Sequence, residues 1–279
     1  MILMQDFSFQ YASGKKNALE NIDLTIADGD FVGIIGNSGA GKTTLTYAIN
    51  GIVPHYYSGD FYGSVVVDGM DTVESKPEDL AMSVGSVFQD VDAQMVASMV
   101  EDEMLFGLEN FGIPHSEIEE RLSKALEQVG IADLRYRELE SLSGGQKQKV
   151  AVAAIIALRP SIIVLDEPTG ELDPRSSEQI FQLLKKLNET YGTTIVVVEQ
   201  KIGLLCRYVK RLVLLEKGRI MLEGPVREVL KQADVMESIG MHVPRVVSLH
   251  KELVNRGLYD GPAPIGLEEA KTMAEEVLS

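Results

Sequence analysis

Apolar and polar positions fall into short blocks whose period changes several times along the chain. Residues 1–35 hold apolar runs separated by the turn signals Ser13-Gly14-Lys15-Lys16 and Ala27-Asp28-Gly29-Asp30, a pattern of strands. The last run, Phe31-Val32-Gly33-Ile34-Ile35, predicts a short buried strand. Leu45-Thr46-Tyr47-Ala48-Ile49-Asn50 continues as helix and ends near Gly51. Residues 54–63 read as a loop carrying His55, Tyr56, Tyr57, Phe61 and Tyr62, which suits a core edge or partner surface better than catalysis. Residues 64–69 form a strand and turn, and residues 84–88 a further strand that ends at Gln89. From about 92 to 142 the period becomes helical. There Ile118, Leu122, Ala125, Leu126 and Val129 recur at three and four on one face, and Gly130 is the stop.

Leu142-Ser143-Gly144-Gly145-Gln146 opens a strongly apolar helix running to Leu158, closed by Pro160. Ile162-Ile163-Val164-Leu165-Asp166-Glu167 is a near-continuous β-branched run ending in two carboxylates. A helix over 175–189 follows, then a strand over 194–198 that leads into Glu199-Gln200. Residues 208–223 pattern as a hairpin turning at Lys217-Gly218. Strands alternating with helices predict an α/β fold with a mainly parallel sheet covered on both faces. From about residue 226 the tail is helical in pattern, broken at Pro244, Gly257, Pro262 and Pro264, and reads as an accessory segment.

Composition narrows the function classes. At 279 residues the chain makes one large domain or two small ones, and 45% hydrophobic content supports a core. The longest uncharged apolar run, residues 150–158, is nine residues, whereas a membrane span needs about 20. No basic segment precedes an apolar stretch near the N-terminus, so no signal peptide is expected. A lone Cys206 leaves no internal disulfide and suits a reducing cytosol. With 42 acidic against 26 basic residues the net charge is −16, which argues against nonspecific binding to nucleic acid or anionic lipid. It does not argue against a nucleotide held in a local positive field.

Such a field is written into residues 36–44. Gly36-Asn37-Ser38-Gly39-Ala40-Gly41-Lys42-Thr43-Thr44 fits the phosphate-binding pattern G-x-x-x-x-G-K-[ST], placed between a predicted strand and a predicted helix. Glycines let backbone wrap an anion that a Cβ would fend off. The following helix presents unpaired N–H groups and a partial positive charge to phosphate. Lys42 would add a full charge on the β- and γ-phosphates, and the Thr43 hydroxyl would hold Mg²⁺. The alternative, a plain glycine-rich turn, leaves the strand and helix context unexplained.

Two carboxylates closing a buried strand are costly unless they face a cation or water. Asp166 suits an outer ligand for Mg²⁺, and Glu167 a general base for water attacking the γ-phosphorus. The alternative is a salt-bridged strand end. Ser143-Gly144-Gly145 at a helix start is a second anion site, or simply a cap. Gln89 could touch Mg²⁺ or water, or lie on the surface. Tyr11, at the end of the first strand, could stack on an adenine or pack as a strand residue.

Together these residues resemble the ATP-binding cassette transporter ATPases. The phosphate loop, Gln89, Leu142–Gln146, Ile162–Glu167 and Leu172-Asp173 come in that family's order and rough spacing over residues 1–225. Residues 52–59, 87–94, 101–110 (with Phe106-Gly107) and Pro244-Arg245-Val246-Val247 resemble the energy-coupling-factor ATPases of cobalt and vitamin importers. The resemblance implies a P-loop core with an antiparallel β subdomain and an α-helical subdomain at about 92–142, followed by the accessory tail at 226–279. It also implies a head-to-tail dimer. ATP and Mg²⁺ would lie between residues 37–44, Asp166 and Glu167 of one subunit and Ser143, Gly144, Gly145 and Gln146 of the other, with Tyr11 on adenine and Leu172-Asp173 coupling the two sites. The helical insert, with Gln94, would grip an integral membrane coupling protein, itself joined to a substrate-binding membrane subunit. The chain would then sit peripherally on the cytoplasmic face of the cell membrane.

One departure stands out. Where the family carries a switch histidine after the last of these strands, this chain has Gln200. A glutamine amide donates a hydrogen bond but carries no charge, a loss of about 1–2 kcal/mol of transition-state contact and about 5–30-fold in rate. A weakened site beside an intact signature favours pairing with a different ATPase subunit, although a homodimer stays open. A soluble cassette ATPase for cofactor assembly and a low-turnover ATP-binding regulator are the competing functions.

Overall fold

The computed structural model describes residues 1–278. The chain opens with β1 (Ile2–Tyr11) and β2 (Leu19–Ile26), whose buried positions alternate along much of each strand, and β3 (Phe31–Ile35), buried throughout. A strand with one wet face alternates, whereas one covered on both sides reads as a continuous apolar run. α1 (Lys42–Ile49) starts at Gly41, and α2 (Ile52–His55) leads into β4 (Gly59–Val67) and β5 (Met70–Asp71). The segment 54–63 is therefore not a loop throughout. Its second half pairs antiparallel with β1, Gly59 opposite Tyr11 and Phe61 opposite Phe9. Phe61 also lies 4.9 Å from Phe7, so aromatic packing across the pair outweighs the turn signal of two glycines.

Next come α3 (Pro77–Ser83), β6 (Val84–Val87), α4 (Val91–Gln94), α5 (Val100–Asn110) and α6 (His115–Val129). The five apolar residues predicted on one face of α6 are all buried, and Gly130 closes the helix at a φ of 72°. α7 (Gly144–Leu158), β7 (Ile162–Asp166), α8 (Pro174–Tyr191), β8 (Thr194–Val198) and α9 (Ile202–Leu205) follow. β9 (Arg211–Glu216) and β10 (Arg219–Pro225) form the hairpin, with Lys217 and Gly218 both at positive φ, the two-residue turn that matches strand twist. The tail holds α10 (Val226–Leu230), α11 (Ala233–Ser238), α12 (Arg245–Asn255) and α13 (Leu267–Leu278).

Two sheets result. One is antiparallel, in the order β2-β1-β4-β5. The other runs β10-β9-β3-β8-β7-β6, parallel apart from the β10 edge. The parallel sheet divides two apolar cores. Ile162 and Val164 face the core that also contains α1 and the antiparallel sheet, while Ile163 and Leu165 face the helices α5 to α8. Strand alternation then carries Asp166, the next even position of β7, to the α1 side. Among the described residues no helix is long and apolar enough to cross a membrane.

Cys206, just after α9, is buried in the second core, and burial pushes its thiol up to about 12. At pH 8 it should not react with Ellman's reagent in the native protein and should titrate as one thiol in denaturant. Rapid native reaction would show that α9 does not pack as described.

Candidate active site

The phosphate loop is shaped by backbone that only glycine supplies cheaply. Gly41 has a φ of 103°, and a Cβ there would meet the Ala18 carbonyl oxygen at 2.6 Å. Lys42, 8% exposed, curls back over the loop and donates to the carbonyls of Gly36 at 2.8 Å and Asn37 at 2.9 Å. It forms none of the ion pairs among the described residues. An ammonium held on neutral carbonyls, without a carboxylate, is a fixed positive charge that an anion can complete. A cavity of about 240 Å³ opens here, lined by residues of the loop together with Gln89, Glu167 and Gln200.

Asp166 ends β7 beneath this cavity, 2% exposed, and its Oδ2 has no hydrogen-bond partner. Burial pushes its carboxyl above the ordinary value. Glu167 and Glu199 push the same way, while the Thr43 hydroxyl and Lys42 pull it back. An orphaned buried carboxylate oxygen beside the Thr43 hydroxyl fits Mg²⁺ held by one carboxylate and substrate phosphates rather than by a protein cage. Among the described residues no group of three or more His, Cys, Asp or Glu could form such a cage.

Glu167 takes a left-handed φ of 53°, a strained setting for a non-glycine residue. Two glutamines reach its carboxylate from different segments. Gln200 Nε2 donates to Oε1 at 2.6 Å, and Gln89 Nε2 to Oε2 at 3.4 Å. The structure thus brings together Lys42, Thr43, Gln89, Asp166, Glu167 and Gln200, which lie far apart in sequence.

Other predicted residues are placed differently. Ser38, Gly39 and Thr44 line the cavity, but the Asn37 side chain turns outward and donates to the Ile239 carbonyl at 2.7 Å. Ala40 is buried in the core. Tyr11 shares a 3.0 Å hydrogen bond with Thr44 and meets Phe9 edge to face, so it is both near the loop and packed as a strand residue. Gln94 spends its amide on the backbone, accepting from Phe88 N and donating to the Ser86 carbonyl, each at 2.9 Å. Ser143 and Gln146 cap each other at the start of α7. The Gly144 and Gly145 amides, in the first turn, have no intrahelical acceptor. They line a separate cavity of about 440 Å³ with Glu171, Leu172 and Asp173, which shares no residue with the phosphate cavity. Asp173 caps α8 through the Arg175 and Ser176 amides, and the Ser176 hydroxyl, with these amides, holds its carboxyl below the usual value.

Three further residues escape sequence reasoning. Buried Gln148, on α7, donates to the Glu167 carbonyl at 2.8 Å. Buried Glu199 bonds the Thr169 hydroxyl and accepts from the Gln200 and Lys201 amides. Lys201 Nζ donates to the Thr169 and Leu172 carbonyls at 2.7 and 3.2 Å. Gln148 lies between Lys147 and Lys149, ahead of the apolar run of α7, and nothing in the sequence marked it or the other two.

The chemistry this arrangement can perform is phosphoryl transfer to water. Lys42 and the loop amides would hold negative oxygens, and Mg²⁺ at Asp166 and Thr43 would supply further charge neutralisation. Glu167, reached by two glutamine amides, would be the group to accept the proton of an attacking water. A phosphate loop following β3 of a parallel sheet, with paired carboxylates at the end of β7, one strand removed across β8, defines a P-loop ATPase.

Comparison with known proteins narrows the class. The ABC transporter family profile matches residues 19–170. A relative from Pyrococcus horikoshii, whose name describes an ABC transporter ATP-binding protein, is 40% identical over 93% of this chain and 92% of its own. A Clostridium perfringens protein named energy-coupling factor transporter ATP-binding protein EcfA2 is 35% identical over 97% and 92%. CbiO1 from Clostridium perfringens, described as part of the ABC transporter complex CbiONQ, superposes with a TM-score of 0.74 at 30% identity, covering 90% of this chain and 98% of that one. The cassette MJ0796, solved as a dimer in a post-hydrolysis state with ADP and Pi, gives 0.73 at 30% identity over 81% and 99%. The chain belongs to the ABC transporter family, and it is an ATP hydrolase that uses Mg²⁺.

Replacing Gln200 by His restores a donor able to carry charge. Gln200→His should raise kcat by about 5–30-fold near neutral pH, measured by phosphate release. No increase would show that the neutral amide already meets the requirement.

Proposed function

We propose that this chain is the ATP-hydrolysing subunit of an energy-coupling-factor importer. In this reading it sits on the cytoplasmic face of the membrane and drives uptake of a vitamin or transition-metal ion. The observation that carries the proposal is a groove of about 460 Å³ bordered by α3, β6, α5 and α7, lined by Tyr56, Met82, Val96 and Phe106 among others. All four are exposed, Tyr56 at 71% and Phe106 at 53%. Each large apolar side chain left in water forgoes about 1.5–3 kcal/mol of burial, and grouping them at one groove marks a protein interface. An apolar segment of a membrane subunit suits it. The name of the Clostridium EcfA2 relative and the description of CbiO1 point the same way.

A second cassette subunit completes each site in this proposal. The Gly144 and Gly145 amides and the phosphate loop open into separate cavities, so one chain does not clamp a nucleotide from both sides. The dimeric MJ0796 structure shows a cassette with this fold paired. Gln200 in the switch place favours a partner of different sequence.

An affinity tag on this chain, used on detergent-extracted membranes, should co-purify an integral membrane protein and a second cassette subunit. Phe106→Glu should release the membrane protein while the detached ATPase retains turnover. Recovery of the chain without any membrane subunit would favour the soluble cassette ATPase instead.

A further inference from the structure

Residues 167–173 join the candidate base to the cap of α8, and little of their own backbone holds them. Within the segment, Gly170 N donates to the Glu167 carbonyl and Leu172 N to the Thr169 carbonyl, both at 3.1 Å. At its ends Glu167 N donates to the Val198 carbonyl and the Asp173 carbonyl accepts from Ser177 N, both at 2.9 Å, and two side chains from elsewhere bond four of the backbone groups between. Lys201 Nζ has three protons and three acceptors: the Thr169 carbonyl at 2.7 Å, the Leu172 carbonyl at 3.2 Å and Ser177 Oγ at 3.0 Å. Gln148, 2% exposed, donates to the Glu167 carbonyl at 2.8 Å and accepts from Glu171 N at 3.3 Å. Gln148 thus ties Glu167 to Glu171, and Lys201 ties Thr169 to Leu172.

Both anchors stand on parts of the nucleotide machinery. Gln148 lies five residues beyond Ser143 on the single helix α7, whose first turn lines the second cavity. A rigid helix moves its start and its second turn together. Lys201 directly follows Gln200, which holds the Glu167 carboxylate. Its ammonium lies on three neutral oxygens and forms none of the ion pairs among the described residues. A charged donor bonded to the carbonyls of a connecting segment is an effective way to fix its geometry.

We propose that Gln148 and Lys201 are positioning residues for hydrolysis. They hold Glu167 at its strained φ and keep Leu172-Asp173 in fixed relation to it, so that displacement of α7 is delivered to the base. The proposal rests on Glu167 being the base.

The test uses the ATPase-active assembly, isolated through a tag on this chain from its own cells. Lys201→Met and Gln148→Leu keep side-chain size and remove the bonds. Each should lower kcat about 10–100-fold, the scale for misplacing a catalytic group by about 1 Å. The KM for ATP should stay within about threefold and the melting temperature within a few degrees. Lys201→Arg should recover most of the rate. Gln148→Glu, which accepts from Glu171 N but cannot donate to the Glu167 carbonyl when ionised, should not. Turnover within twofold of wild type for Lys201→Met and Gln148→Leu would overturn the proposal, as would a rate falling only in step with the folded fraction. Glu167→Gln separates the two levels. If it abolishes turnover while the other variants keep it, positioning alone is refuted; if it keeps turnover, the assignment of the base is lost and the positioning role with it.

Discussion

A carboxylate oxygen buried without a partner is the constraint about which the site is arranged. Asp166 is 2% exposed and its Oδ2 meets no donor. An unsatisfied buried acceptor costs about 1–3 kcal/mol, more when charged, a large share of the stability of an ordinary domain. The strand that carries it is apolar on both faces, so the charge stands at the boundary between a dry sheet and the phosphate cavity. A cation placed there would relieve the cost, and the Thr43 hydroxyl is already beside it. Lys42 is the complement: a positive charge resting on neutral carbonyls, completed by an anion. Together they suit a Mg²⁺-bound triphosphate better than either ion separately.

The second constraint is separation. The glycine amides at the start of α7 can receive phosphate, yet they open into a different cavity from the loop. In the proposed mode, nucleotide joins the two only by bringing two subunits together. The free energy of that closure is then available for work on a partner seated in the apolar groove beside α5. Net charge of −16 keeps such a protein from binding anionic surfaces indiscriminately, while the loop retains its local positive field.

Much of this was legible in the chain because local signals and tertiary demands agree. Alternation in β1 and β2, the continuous runs of β3, β7 and β8, the Gly130 stop and the Lys217-Gly218 turn are each decided within a few residues. So is the phosphate loop, where Gly41 must take a φ that other residues resist. Residues 59–63 were misread because the partner that makes them a strand, β1, lies some fifty positions earlier. The glycines there permit a turn without requiring one. Asn37 belongs to the phosphate motif, but whether its side chain faces phosphate or the Ile239 carbonyl depends on where the tail packs. Gln148, Glu199 and Lys201 act through carbonyls and a hydroxyl of a segment remote in sequence, and no spacing rule announces such contacts.

A raised pKa means the folded state holds the Asp166 proton more tightly than the unfolded chain does. Above the ordinary carboxylate range the ionised group therefore subtracts from stability. In the proposed role as a cation ligand, Asp166 sets stability without ligand against affinity for Mg²⁺-nucleotide. The direct measurement is the thermal unfolding of wild type and Asp166→Asn at pH 7, across a series of MgATP concentrations. Without nucleotide the Asn variant should melt no lower than wild type, and added MgATP should raise its melting temperature much less. A variant that melts lower without nucleotide, yet gains the full wild-type increment from MgATP, would contradict the cation role of Asp166.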